Sequence, residues 1–322
     1  MGHDAVDVEK TAAGFIAPPT GLWQRLRPTV INAACVLLNT ICTVLLVFVN
    51  KSVLSDPHFR HLQCTTAAWH FLATAGVLSL VFARSSGVSS GPWLPVSSIL
   101  PVSLLCVGFV LFGNLSLALN SVPFYQMAKI LTGPSVVAIN YLLFRKTLTK
   151  PVLVSVLACC GGVAMTVSGI AAANLTGTSV AVMGFITTAF YQIWIGMKIT
   201  KLNISAAELL FNIAPWAVVI LVVFIPFLDQ IPEYHLINHD ALIAFLVSGV
   251  LAAGLNLSQF LIIGRTSALT FNIVSNAKNI IIISYGWWQE GKAIGVNDML
   301  GVILALGGAT VYSIQSQRSS QR

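Results

Sequence analysis

Two lysines lie where an ionised side chain is most costly, inside long apolar runs of the sequence. Lys129 is the last residue of the segment FYQMAK, and Lys278 lies in the segment NIVSNAKN. A lysine at the centre of a membrane helix costs roughly 2.5–3.5 kcal/mol on insertion scales. All ten Asp and Glu residues lie in tails, loops or at the edges of the apolar runs, so neither lysine has a carboxylate partner within them. This pattern predicts an anionic ligand. The alternative, that the lysine reaches the membrane surface or bonds carbonyl groups at a kink, suits Lys129 better than Lys278.

Polar and aromatic residues in the same and neighbouring runs complete the candidate site. Tyr125 lies one helical turn before Lys129, and Asn276 and Asn279 flank Lys278. Cations and amide donors suit a phosphate, amides suit the hydroxyl groups of a sugar, and an aromatic face suits a nucleobase. For the asparagines, hydrogen bonding between helices is an equal alternative. The predicted binding residues are Lys129, Lys278, Tyr125, Asn276, Asn279, Tyr191, Asn256 and Lys51.

Several classes of function are disfavoured. The sequence contains no catalytic or nucleotide-hydrolysing motif and no metal-ligand spacing, so we expect no enzyme activity, no metal and no cofactor. The net charge of +7 comes from short clusters between apolar runs, without a basic stripe, so we expect no nucleic-acid partner. Six cysteines without a CxxC pair are interpreted as small core residues.

The elements that must position these residues are membrane helices. The chain is 56% hydrophobic and only 8% charged, whereas soluble domains are about 25% charged. A helix of about 20 apolar residues crosses a bilayer. We therefore predict an all-α membrane protein with ten transmembrane helices, called spans 1 to 10. These lie near 29–50, 61–83, 97–119, 122–144, 150–172, 177–198, 205–228, 241–263, 268–288 and 296–315.

The orientation of the spans follows from the distribution of Lys and Arg. With a cytosolic N-terminus, twelve of these residues lie in cytosolic segments and three on the opposite side. Positive residues favour the cytosolic side, so both termini are predicted to be cytosolic. Residues 1–28 are expected to form a disordered cytosolic tail, and residues 317–322 a second cytosolic tail.

Weak internal similarity predicts a duplication. Three short matches occur in the same order: NLS at 114–116 and 256–258, AK at 128–129 and 277–278, and GG at 161–162 and 307–308. We predict one five-helix repeat over 29–172 and a second over 173–316. Because five is odd, the second repeat is inverted in the membrane, an arrangement typical of secondary transporters. The alternative for the glycines is that glycine is simply common in membrane helices.

Two segments resemble a known family. NLSLALNSVPFYQMAKILTGPSV and NLSQFLIIGRTSALTFNIVSNAKN are similar to the triose-phosphate-transporter/nucleotide-sugar-transporter family of the drug/metabolite transporter superfamily, and the resemblance covers about residues 28–315. It implies ten helices in two inverted halves and antiport of a phosphorylated cargo. Lys129 and Lys278 match the family's lysines in spans 4 and 9, and Asn50-Lys51 matches an Asn-Lys pair that ends span 1.

One departure favours a branch of this family. Triose-phosphate exchangers of plastids carry Lys-Arg where this chain has Lys278-Asn279, and the GALNK motif of GDP-mannose carriers is absent. The resemblance is strongest to carriers of UDP-xylose and UDP-galactose. It implies exchange of a UDP-sugar for UMP across a Golgi or ER membrane. A triose-phosphate or phosphate exchanger and a non-transporting membrane scaffold are the alternatives, and the sequence also allows a homodimer.

Overall fold

Eleven α-helices account for nearly all of the residues that the structure describes. The computed structural model describes residues 28–84, 93–145, 148–204, 206–230, 239–265 and 268–320. Most of the predicted N-terminal tail lies outside these ranges. The helices are α1 Pro28–Ser55, α2 Gln63–Arg84, α3 Val96–Leu119, α4 Val122–Ile130, α5 Thr132–Phe144, α6 Lys150–Ala173, α7 Leu175–Leu202, α8 Ala206–Leu228, α9 His239–Arg265, α10 Ala268–Gln289 and α11 Val296–Ser320.

Eight helical segments within the described residues are long and apolar enough to cross a membrane. One of them is α4 and α5 together, over Val122–Phe144. The helices α2 and α10 have 22 residues each, which is also long enough to cross a bilayer. The protein is therefore an all-α membrane protein.

The distribution of side chains is the reverse of that in a soluble protein. In α1, Leu37 is 60% exposed, whereas Asn39 is fully buried. Thr74, Ser103 and Ser258 are likewise buried, while many leucines and valines lie on the outer faces of the helices. In a bilayer the apolar outer faces contact lipid and the polar groups must find partners inside the bundle.

The segment predicted as span 4 is a broken helix. The helix α4 ends at Ile130, and α5 begins at Thr132 after a single turn residue, Leu131. Pro134 has no N–H to donate to the carbonyl group of Ile130, four residues earlier, so the helical hydrogen bonding is interrupted at this point. The break comes at Leu131, two residues after Lys129.

Glycine allows two helices to cross in backbone contact. A Cβ atom on Gly162 of α6 would overlap the backbone of Gly301 and Ala305 in α11, and a Cβ atom on Gly308 of α11 would overlap Ser155 and Cys159 in α6. The neighbouring Gly161 and Gly307 have open space at the same position. The second glycine of each pair therefore permits the close packing of α6 against α11.

The helices pack mainly in the following pairs. The helix α6 packs on α11, α1 on α9, α3 on α7, and α2 on both α8 and α9, while α8 also packs on α3. Five of the six cysteines are buried and all six are free thiols, as expected for small core residues.

Candidate functional site

Lys129 is an accessible cation within the predicted binding residues. Its side chain is exposed although it lies on the last turn of α4, within a membrane span. The ammonium group lies 5.1 Å from the centre of the Tyr125 ring, one helical turn earlier. Tyr125 packs against an apolar cluster that includes Leu54, Leu117 and Ile282, from α1, α3 and α10. The arrangement leaves the charge of Lys129 available to a ligand beside an aromatic face.

A cavity of about 640 Å³ lies beside α5, the helix that follows the break. Val136 and Asn140 are four residues apart, which places them on one face of α5. The cavity lies between α5 and α7 and is lined by Val136, Asn140, Phe144, Gln192, Ile193, Gly196, Met197, Thr200 and Lys201. Lys129 is not among the residues that line the cavity.

Lys278, in contrast, is engaged by neutral side chains. Its residue is only 3% exposed. The ammonium group donates to the side-chain oxygen of Asn39 and, at 3.0 Å, to the hydroxyl group of Thr43, both in α1. It also lies 5.3 Å from the centre of the Phe271 ring. The two lysines are close enough to repel each other electrostatically. The charge of Lys278 is thus compensated by dipoles rather than by a carboxylate.

Asn39 connects Lys278 to a third helix. Its amide nitrogen donates to the hydroxyl group of Ser258 at 3.0 Å and to the carbonyl group of Leu255 at 3.2 Å, both in α9. These two acceptors fix the orientation of the amide, so its oxygen faces Lys278. The chain of bonds therefore joins α10, α1 and α9.

Two of the predicted binding asparagines link helices. The amide nitrogen of Asn276 donates to the hydroxyl group of Thr310 in α11 at 2.8 Å. That of Asn256 donates to the hydroxyl group of Thr74 in α2 at 3.0 Å. Both side chains therefore fit the alternative of hydrogen bonding between helices, which the sequence left open.

The remaining predicted residues in the helices lie in different surroundings. Asn279 is half-buried, next to Lys278 in α10. Tyr191 stacks on Phe109, with ring centres 4.6 Å apart, at the edge of an apolar cluster formed by α2, α3 and α8. Tyr191 is thus part of the packing between α3 and α7, while its neighbour Gln192 lines the cavity.

Lys51 lies at the opposite end of the bundle from the cavity. Its ammonium group donates to the carbonyl groups of Leu117 at 2.8 Å and Asn120 at 2.6 Å, at the end of α3. A cation at this position satisfies carbonyl groups that have no helical partner. Glu290, just after α10, accepts from the hydroxyl group of Ser121 and the backbone N–H of Val122. Partial burial raises the pKa of Glu290. These contacts tie α1, α3, α4 and α10 together at one face.

Asn39 and Thr43 were not among the residues predicted from the sequence. Both lie in an apolar run, four residues apart, so they share one face of α1. This pair of polar residues at helical spacing was the signal available in the sequence. Its partner could not be read from the sequence because Lys278 is more than 230 residues away.

The fold and the site define a multi-pass membrane protein with buried polar networks and an accessible lysine inside the bundle. Residues 32–313 match the sequence model of the Triose-phosphate Transporter family. The match covers most of the chain, and the chain belongs to this family.

Similar proteins carry the names of nucleotide-sugar transporters. The chain is 30% identical to UDP-rhamnose/UDP-galactose transporter 2 of Arabidopsis thaliana, over 88% of this chain and 83% of that protein. It is 27% identical to UDP-xylose transporter 2 of the same plant, over 88% and 81% of the two chains. One crystal structure superposes with a TM-score of 0.61 at 14% identity, over 91% of this chain and 98% of that chain, which is a likeness of fold alone.

Proposed function

We propose that this protein is a nucleotide-sugar antiporter that exchanges a cytosolic UDP-sugar for lumenal UMP by alternating access. The cargo is UDP-xylose, UDP-galactose or a similar UDP-sugar. The observation that carries the proposal is the exposed ammonium group of Lys129 beside the Tyr125 ring, within a span of a chain that belongs to the Triose-phosphate Transporter family. The relatives named above, which are called UDP-sugar transporters, support the choice of cargo.

The chemistry of the site suits a nucleoside diphosphate. Lys129 supplies a positive charge for the diphosphate, and a charge-assisted hydrogen bond is about twice as strong as a neutral one. The face of Tyr125 and the amides of Asn140 and Gln192 along the cavity suit the less charged parts of the cargo. In our proposal Lys278 joins Lys129 on the diphosphate during the transport cycle, and Asn279 contributes an amide beside it.

We further propose ten spans in two inverted halves, 29–172 and 173–316. The packing supports this. In this arrangement α1, α2, α3 and α6 of the first half correspond to α7, α8, α9 and α11 of the second half. The contact of α1 with α9 then corresponds to the contact of α7 with α3, and the contact of α2 with α9 corresponds to the contact of α8 with α3. The contacts of α6 with α11 and of α2 with α8 each join a helix to its own counterpart in the other half. The reciprocal positions of Gly162 and Gly308 at the α6–α11 crossing support the same relation.

The proposed location is the Golgi membrane, with the ER membrane as the alternative and both termini in the cytosol. The excess of Lys and Arg, twelve against three, supports this orientation. The cavity between α5 and α7 then opens toward the cytosol, and the cluster around Lys51 and Glu290 lies on the lumenal side.

Counterflow in proteoliposomes tests the function. Vesicles are preloaded with UMP, GMP or inorganic phosphate and offered labelled UDP-sugars, GDP-mannose or a triose phosphate. We expect uptake of a UDP-sugar only against UMP, which would also identify the sugar. Uptake of a triose phosphate only against phosphate would assign an exchanger of small phosphate esters. No uptake with folded protein would favour the membrane scaffold.

A further inference from the structure

We propose that Asn39 and Thr43 form a clamp on Lys278 that couples helix movement to cargo binding. This inference rests on the proposed antiport function. Lys278 is almost fully buried, and two of its three protons are donated to the two α1 side chains. Because the ammonium group is buried, a phosphate oxygen can reach it only if α10 moves relative to α1, which breaks the bonds to Asn39 and Thr43.

The clamp lies where α10 contacts α1, and α1 in turn contacts α9. Asn39 is fully buried and its amide nitrogen is fixed by Ser258 and Leu255 of α9. Thr43 donates its own proton to the backbone carbonyl group of Asn39 at 2.7 Å, so its lone pairs are left for Lys278. Both acceptors are thus oriented toward the ammonium group, and α10 is held against α1 and α9.

The clamp makes movement of α10 away from α1 unfavourable until an anion binds. Breaking the contact of Lys278 with Asn39 and Thr43 without a replacement would leave a buried charge without a partner, which is strongly unfavourable. A diphosphate supplies that replacement. Cargo therefore lowers the cost of separating α10 from α1, while a carrier without cargo stays clamped. An antiporter needs this property, because an empty carrier that reorients freely allows net flux.

Two substitutions at Asn39 have opposite predicted effects. Asn39→Ala removes one acceptor and its links to α9. We expect net uptake into vesicles without internal nucleotide to rise by about tenfold relative to the unmodified protein, while counterflow persists. Asn39→Asp places a carboxylate next to Lys278 that cargo must displace. We expect counterflow to fall and KM for the cargo to rise. Thr43→Val should give a smaller leak than Asn39→Ala.

Asn212→Ala is the matched control. Asn212 is also a buried asparagine, and its side-chain oxygen accepts from the backbone N–H of Leu94 at 3.0 Å, without contact to either lysine. We expect this variant to lose stability but to keep strict exchange. Folded Asn39→Ala protein that exchanges as strictly as the unmodified protein would overturn the clamp and leave the proposed function intact. Unmodified protein that exchanges none of the offered cargo would overturn both.

Discussion

The two intramembrane lysines have nearly opposite surroundings. Lys129 is exposed at the end of a short helix and has an aromatic ring as its neighbour. Lys278 is buried in an unbroken helix and donates to two side chains of α1. Both follow an alanine, in one of the short matches from which the sequence predicts two similar halves. The difference teaches that the same residue type can be exposed on one membrane helix and held in a helix contact on another.

The proposed alternating access would account for this difference. In a carrier with inverted repeats, only one side of the central site is open in a given conformation. On that proposal the exposed Lys129 belongs to the open side, and Lys278, which is compensated by protein groups, belongs to the closed side.

The largest expected effect concerns Lys129. Lys129→Met keeps the apolar stem and removes the charge, so the diphosphate loses a charge-assisted hydrogen bond. We expect kcat/KM for counterflow to fall by about 10- to 100-fold with little change in thermal stability. The control is Lys201→Met at the rim of the cavity, where a smaller loss is expected. Exchange by Lys129→Met at the rate of the unmodified protein would contradict the comparison of the two lysines.

The next prediction concerns the crossing of α6 and α11, where one glycine of each helix contacts the other helix. Gly162→Ala and Gly308→Ala should each destabilise the protein by about 1–3 kcal/mol, because the added methyl group meets backbone atoms of the facing helix. Gly161→Ala and Gly307→Ala provide the matched controls. Their space is open, and replacing a helical glycine by alanine should stabilise by about 0.5–1 kcal/mol. Thermal unfolding in detergent measures all four, and similar values for all four would refute the close crossing.

A smaller effect is expected for Lys51, and it separates a structural cation from a binding one. Lys51→Met leaves the carbonyl groups at the end of α3 without their donor. We expect a loss of about 1 kcal/mol in the free energy of unfolding and an unchanged KM for the cargo. A raised KM with unchanged stability would instead return Lys51 to the binding site, where the sequence had placed it.

The smallest effect concerns Asn276. Hydrogen bonds between membrane helices contribute about 0.6 kcal/mol on average. We expect Asn276→Ala and Thr310→Val each to lower stability by about this amount, and the double variant to lose little more than either single one. Additive losses together with a raised KM for Asn276→Ala alone would show that this side chain contacts cargo rather than α11.

Helix positions were largely predictable because apolar runs separated by turn residues are a strong local signal. The run predicted at 268–288 is a helix over Ala268–Gln289, and the one at 97–119 is a helix over Val96–Leu119. The predicted span at 122–144 missed the break after Ile130, although Pro134 was the local signal for it.

The partners of the polar residues were not predictable because they depend on contacts between distant parts of the chain. Burial of Lys278 and exposure of Lys129 depend on how α1, α4 and α10 pack, and no local pattern encodes that packing. For the same reason Asn39 was missed, whereas Asn256 and Asn276 were assigned to binding and lie in contacts between helices. Local sequence identified the polar residues of the spans but not which of them a ligand can reach.

The crossing of α6 and α11 has a mechanical consequence. Gly162 lies near the middle of α6, and Gly308 near the middle of α11. At 1.5 Å per residue, the helix ends lie roughly 18 Å from this point in both directions. The close contacts run from Ser155 to Thr166 in α6 and from Gly301 to Gly308 in α11, so they are centred on both helices. A tilt of one helix against the other about this contact would therefore move its two ends by similar distances in opposite directions.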